Sequence, residues 1–239
     1  MKKTSIICVI MGIVCFALAG YIVYNKFFKE KDVVDFNKDD EIKLINDKLT
    51  ETGSSLGWTI IVSGIDHQSD DGSKYNVSYD TNLLSDYSNR QLFVMEYILS
   101  TNKDNDKFIV LSGFDNSRVE ESPTADFTLA YLDYNTFNDY YKKLFDEDFD
   151  LSKAQKGNTS YDKEYVYYSN RRAGSNGVYV SMITSNNVEY KDGKYIATVD
   201  ITYSTRASEL IGREKDTGSI TYTKDIDNDI LFESFIVNK

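Results

Sequence analysis

The sequence predicts an α+β domain behind a single N-terminal membrane-spanning helix. Three patterns carry that prediction. The run Ser5 to Tyr24, SIICVIMGIVCFALAGYIVY, is twenty residues long with no charge and no proline. At about 1.5 Å per residue such a helix spans roughly 30 Å, the hydrocarbon thickness of a bilayer. Beyond it, apolar residues recur at helical spacing in three places. Later they alternate, as in Tyr195, Ala197, Val199, Ile201 and Tyr203, beside an Asp192-Gly193 hairpin signal. Helices laid on a mainly antiparallel sheet bury both kinds of stripe.

The organisation follows from the apolar run. Residues 1–4 form a short cytoplasmic end, 5–24 the transmembrane anchor, 25–38 a charged linker and 39–239 an extracytoplasmic domain. That domain reads as one body or as two lobes, 39–132 and 133–239. Lys2 and Lys3 precede the run, and Tyr21, Tyr24, Phe27 and Phe28 at its far end suit an interfacial aromatic belt. The competing reading is a secretory signal cleaved after Ala19, because Ala17-Leu18-Ala19 has the small-x-small form. The apolar run continues past that point to Tyr24, which favours the uncleaved anchor. In both readings the bulk of the chain lies outside the cytoplasm.

Composition narrows the function classes. With 19 Tyr and 13 Phe, the chain is too aromatic to stay disordered and must bury a core. A net charge of −11 repels nucleic acid and anionic headgroups, so no nucleic-acid partner is expected. Both cysteines, Cys8 and Cys15, lie inside the anchor. The domain therefore stands on its core, without disulfides. Usage rich in Asn, Lys, Asp, Ile and Tyr, with Pro123 alone among prolines, points to an AT-rich bacterial source.

In chain order, Asp39 or Asp40 caps a helix with Ile42, Ile45 and Leu49 on one face, and Gly53 ends it. Trp58 to Val62 and Tyr75 to Tyr79 read as strands, joined by a loop containing Asp66 and His67. Ser88 and Gln91 have capping-box spacing ahead of a helix with Leu92, Met95 and Leu99 in a stripe. Phe108 to Leu111 and Phe127 to Tyr131 are strands around an acidic loop, Asp115 to Pro123. Asn135 caps a short helix whose Phe137, Tyr140, Tyr141, Leu144 and Phe145 form an aromatic stripe. Its expected seat is the sheet face carrying Tyr195, Val199 and Ile201. Residues 146–156 are loop. The remainder is a meander: Tyr165 to Tyr168, Val178 to Ile183, Val188 to Lys191, Lys194 to Ser204, a turn at Gly218, Ile220 to Thr223, a turn at Asp225 to Asp229, and Ile230 to Val237.

Tyr131 to Lys153, YLDYNTFNDYYKKLFDEDFDLSK, resembles a segment of uncharacterised membrane-anchored exported proteins of low-GC Gram-positive bacteria. LSDYSNRQLFVMEYIL (Leu84 to Leu99), YKDGKY (Tyr190 to Tyr195) and ILFESFIVNK (Ile230 to Lys239) are similar to theirs. Where those proteins place Gly after Leu-Phe, this chain has Asp146. The resemblance implies an envelope location and a cystatin-like or NTF2-like sheet wrapped on a helix. It implies no activity.

The chain lacks the G-x-S-x-G, H-E-x-x-H, G-x-G-x-x-G and P-loop patterns, so no cofactor, metal or catalytic residue is expected. His67 beside Asp66 reads as a solvated loop pair. Asp225-Ile-Asp227-Asn-Asp229 opens like a calcium loop but has Ile230 and Ile236 where an EF-hand needs Gly and an acid. Asp146, Glu147, Asp148 and Asp150 form a second acidic cluster. Turn formation accounts for both clusters. The aromatic stripe of Phe137, Tyr140, Tyr141, Leu144 and Phe145 has two readings, core packing or a ligand and partner surface. The function expected is a non-enzymatic, membrane-tethered binding module. It contacts the lipid bilayer through Ser5 to Tyr24 and binds an envelope protein or small ligand outside. The alternative is an envelope hydrolase using paired carboxylates.

Overall fold

The computed structural model describes residues 36–67, 75–101, 109–111, 128–150, 152–153, 159–161, 165–170 and 177–239. The expected anchor Ser5 to Tyr24, most of the expected linker and the loop Asp115 to Pro123 lie outside the described residues. No helix among the described residues is long and apolar enough to cross a membrane.

Helix α1 (Lys38–Thr59) comes first and runs into a π-helical turn, Ile60–Gly64. Asp39, Asp40 and Glu41 all fall in its first turn, which suits the positive end of the helix dipole. Two expectations fail here: Gly53 does not end the helix, and Trp58 to Val62 is not a strand. The buried stripe Ile45, Leu49, Leu56 and Ile60 continues at helical spacing through both. The glycines serve contact instead. A Cβ on Gly57 would lie 2.7 Å from Val180 Cβ, and one on Gly53 4.0 Å from Ile183 Cβ. Tertiary packing overrides the strand preference of the β-branched run.

Strands β1 (Ile65–His67) and β2 (Tyr75–Val77) pair as a hairpin. Asp66 and His67 therefore sit on a strand rather than in a loop. Helix α2 (Tyr87–Thr101) starts two residues earlier than the capping box implies. Asp86, not Ser88, caps it, with Oδ1 accepting from the Ser88 N–H at 2.7 Å. Every residue from Gln91 to Ile98 is buried, the polar Gln91 and Glu96 included, so α2 is buried on all sides and central.

A first four-stranded antiparallel sheet has the order β3-β4-β6-β5, from β3 (Ile109–Leu111), β4 (Thr128–Asp133), β5 (Thr159–Tyr161) and β6 (Tyr165–Asn170). Helix α3 (Tyr134–Phe145) follows β4 directly.

The second sheet is longer, with order β10-β9-β8-β7 and every pair antiparallel. Its strands are β7 (Val180–Lys191), β8 (Lys194–Tyr203), β9 (Lys215–Lys224) and β10 (Ile230–Asn238). The two short runs expected near Ile183 and Val188 are one strand. It passes the polar stretch between them through a register shift at Ser185/Asn187, after an earlier shift at Val180/Met182. Asp192 and Gly193 both have positive φ, 53° and 84°, as the tight hairpin requires. Gly218 is not a turn. It lies inside β9 opposite Val199, where a Cβ would come within 2.8 Å of the Ile236 carbonyl.

Helix α4 (Thr205–Ile211) was not foreseen, although Ser204 caps it and Gly212 closes it at φ 83°. Four helices, including α4, thus accompany antiparallel sheets in an α+β fold among the described residues. Helix α1 runs antiparallel along β7, and Lys38–Lys239 forms one unit.

Candidate functional site

The aromatic helix is capped by Asp133, whose Oδ1 accepts from the Thr136 N–H at 3.0 Å, two residues before the expected Asn135. Asp146 ends it in the left-handed region at φ 55°, donating its N–H to the Lys142 carbonyl at 2.8 Å. The aspartate thus adopts the conformation that glycine would favour.

Phe137, Tyr140, Tyr141, Leu144 and Phe145 all point inward and are buried. Their seat is not the β8 face of Tyr195, Val199 and Ile201. Helix α3 lies on α2, β10 and β4, and its rings meet those neighbours edge-on. Phe145 is 6.0 Å from Phe93, and Tyr140 is 6.1 Å from Tyr97. Phe149, expected in a plain loop, turns back to within 4.9 Å of Phe137 and 5.1 Å of Tyr141. Asn138 holds it there, accepting from the Phe149 N–H at 2.6 Å, while the Tyr134 hydroxyl donates to its carbonyl at 2.8 Å. As a contact surface for a partner, the five-residue stripe is covered by the chain itself.

Arg90 fills the box these rings make. Its guanidinium lies 4.8 Å from the Phe145 ring centre and 5.6 Å from that of Tyr87. It donates to the Leu84 carbonyl at 2.5 Å, to the Tyr141 hydroxyl at 3.3 Å and to Glu147. Burial pushes the Tyr141 hydroxyl well above the usual tyrosine range, and Arg90 opposes this only in part.

A second aromatic row crosses the inner face of the long sheet. Tyr190, Tyr195, Tyr222 and Phe232 occupy facing positions on four successive strands. Tyr195 and Tyr222 stack at 5.1 Å and 12°, and Phe232 reaches Phe93 at 5.6 Å, joining this row to the α3 cluster. At its open end, Lys224 sits 4.5 Å above the Tyr195 ring and donates to Glu41 of α1 at 2.6 Å. A third cluster centres on Asp216. It accepts both arms of Arg213 at 2.6 and 2.8 Å and the hydroxyls of Tyr203 at 2.8 Å and Tyr79 at 3.4 Å. Neither cluster is legible as a whole in the sequence, because each draws members from separate elements.

The acidic clusters resolve into turn and cap chemistry. Asp148 accepts from Asn138 at 3.0 Å and lies 3.5 Å from Lys142. Asp150 accepts from the Ser152 N–H and hydroxyl at 2.9 and 2.6 Å. These bonds hold both carboxyls below the usual aspartate range. Asp225 Oδ1 accepts from the N–H groups of Asp227 and Asp229 in its own turn. No group of three or more His, Cys, Asp or Glu among the described residues is placed to hold a metal ion. The side chains of Asp66 and His67 lie outside the description.

The outward face of the long sheet is different. Its facing positions read Asn187, Thr198, Ser219 and Ile236, then Thr184, Asp200, Thr217 and Asn238. Beside it at the start of β7, Tyr179 and Met182 are 52% and 53% exposed, the largest apolar exposure on that strand. No family model, curated protein or solved structure matches the chain.

Proposed function

We propose that the chain is a non-enzymatic binding module of the bacterial cell envelope, tethered in the membrane by Ser5 to Tyr24 with its α+β domain outside the cytoplasm. The observation that carries this reading is how five of the described acids, Asp148, Asp150, Glu147, Asp216 and Glu41, are used. A hydrolase working through paired carboxylates needs one of them protonated near neutral pH, with its pKa raised. Asp148 and Asp150 are shifted the other way. Glu147 is engaged by Arg90, Asp216 by Arg213 and Glu41 by Lys224. These carboxylates hold elements together.

The surface available to an envelope protein or small ligand is the start of β7 and the Ser/Thr-rich face beside it. Tyr179 and Met182 supply an aromatic and a deformable apolar contact there. The uncharged run supports the tether, and a short apolar N-terminal segment ahead of a long domain supports the location.

Two measurements test the reading. After alkaline carbonate washing, the full-length chain should stay with the membrane pellet; a soluble form beginning at Gly20 would sink the tether. A photo-crosslinker at Met182 should capture an envelope component, and Tyr179→Ser should abolish the capture. Hydrolysis of a wall polymer that is lost in Asp148→Asn would instead establish an enzyme.

A further inference from the structure

Both edges of the long sheet end against an asparagine from elsewhere in the chain. On β7, Asn46 of α1 accepts from the Ser185 N–H at 2.8 Å and donates to the Ser185 carbonyl at 2.9 Å. One side-chain amide thus occupies both backbone groups that a neighbouring strand would use. On β10, Asn82 Oδ1 accepts from the Phe235 N–H at 3.1 Å, and the Asp80 N–H donates to the Val237 carbonyl at 2.9 Å. Each block lies next to a register shift, Ser185/Asn187 on one edge and Phe232/Ser234 on the other. An open strand edge is a template for another strand, and bulges are one means of closing it.

The two edges are not equally guarded. A backbone segment covers β10 and bridges to it at Asn82 and Ile236. Among the described residues, the block at Ser185 of β7 is one side chain on a helix. The sequence of β7 opposes pairing little: twelve residues, no Pro or Gly, and one acid, Glu189, against one base, Lys191. Length, low net charge and absence of proline are what favour edge-to-edge association.

The geometry points to β7 as a latent pairing edge for a second copy of this chain, kept closed by Asn46. In a two-fold antiparallel pair of β7 strands, the end with Glu189 and Lys191 lies beside the uncharged Val180 to Met182 end of the other copy. Like charges do not meet, and the exposed Met182 of each copy gains a neighbour. Removing the amide leaves the Ser185 N–H and carbonyl without their partner, and a second β7 supplies one. This inference does not depend on the tether or on the partner proposed above.

The test is sedimentation of the full-length chain, wild type against Asn46→Ala, in one detergent over a range of concentrations. The expected result is a doubling of protein mass per particle in Asn46→Ala as concentration rises. Adding Met182→Lys, a charge placed on the edge, returns it to the wild-type mass. A folded Asn46→Ala, judged by wild-type circular dichroism, that keeps the wild-type mass throughout overturns the proposal. Should Asn46→Ala not fold, Asn46→Asp, which keeps the acceptor and loses the donor, is read by the same criteria. Failure of both to fold also overturns it, because the amide would then be needed for the fold itself.

Discussion

The two faces of the long sheet are made by alternate residues of the same four strands, yet they do different work. On the inner face Val188, Ala197, Ile220 and Phe235 face one another in a row, and Tyr190, Tyr195, Tyr222 and Phe232 form the next. Helix α1 lies along the β7 side of this face, and Phe232 carries it into the α2 and α3 cluster. On the outer face the row of Asn187, Thr198, Ser219 and Ile236 is half-buried. Stability is therefore concentrated on one face. The other can change its side chains at little cost, which is where a binding surface can vary.

The sharpest way to break this contrast is to truncate one inner residue. Phe235→Ala empties a fully buried site and should cost about 3–5 kcal/mol. The expected readout is a lower denaturant midpoint at unchanged slope; a loss under about 1 kcal/mol would mean the inner face is not the seat of stability.

Alkaline pH probes the same burial without mutation. Burial raises the hydroxyl pKa of Tyr97, Tyr141, Tyr203 and Tyr222 above the usual tyrosine value. In the unfolded chain these groups ionise near pH 10, while the folded chain keeps them protonated. The unfolded state then binds fewer protons, so stability is whole below about pH 10 and falls as pH rises beyond it. Tyrosinate absorbance should rise in a cooperative step together with loss of secondary structure. Smooth ionisation of every tyrosine with the fold intact would contradict the burial.

The smallest effect belongs to the outer face. Thr221→Ala and Ser219→Ala should each change stability by no more than about 0.5 kcal/mol. A loss of several kcal/mol at either would show that this face is packed against something in the folded state.

The features legible in the sequence are those with a local period. The stripe of Phe137, Tyr141 and Leu144 is a face at helical spacing, and Tyr195 to Tyr203 alternate as a strand must. What such patterns lack is the identity of the opposing surface, so α3 is seated on α2 and β10 rather than on β8. Gly53 and Gly218 read as punctuation but, like Gly57, are contact points, a distinction made by Val180, Ile183 and the Ile236 carbonyl. Asn46 and Asn82 were invisible because the strands they close lie 139 and 153 residues further along. Phe149 and Arg90 were missed for the same reason: each gains its role from rings on another element.

The order of elements also sets a timetable. Helix α1 is made early, but its seat is β7, and Glu41 finds Lys224 only 183 residues later. Phe93 of the central helix likewise waits for Phe232. During synthesis the ribosome releases three helices with apolar stripes before any strand of the long sheet exists to cover them. Contacts so distant in sequence close slowly. The apolar stripes of α1, α2 and α3 therefore reach their full burial only once the long sheet is complete.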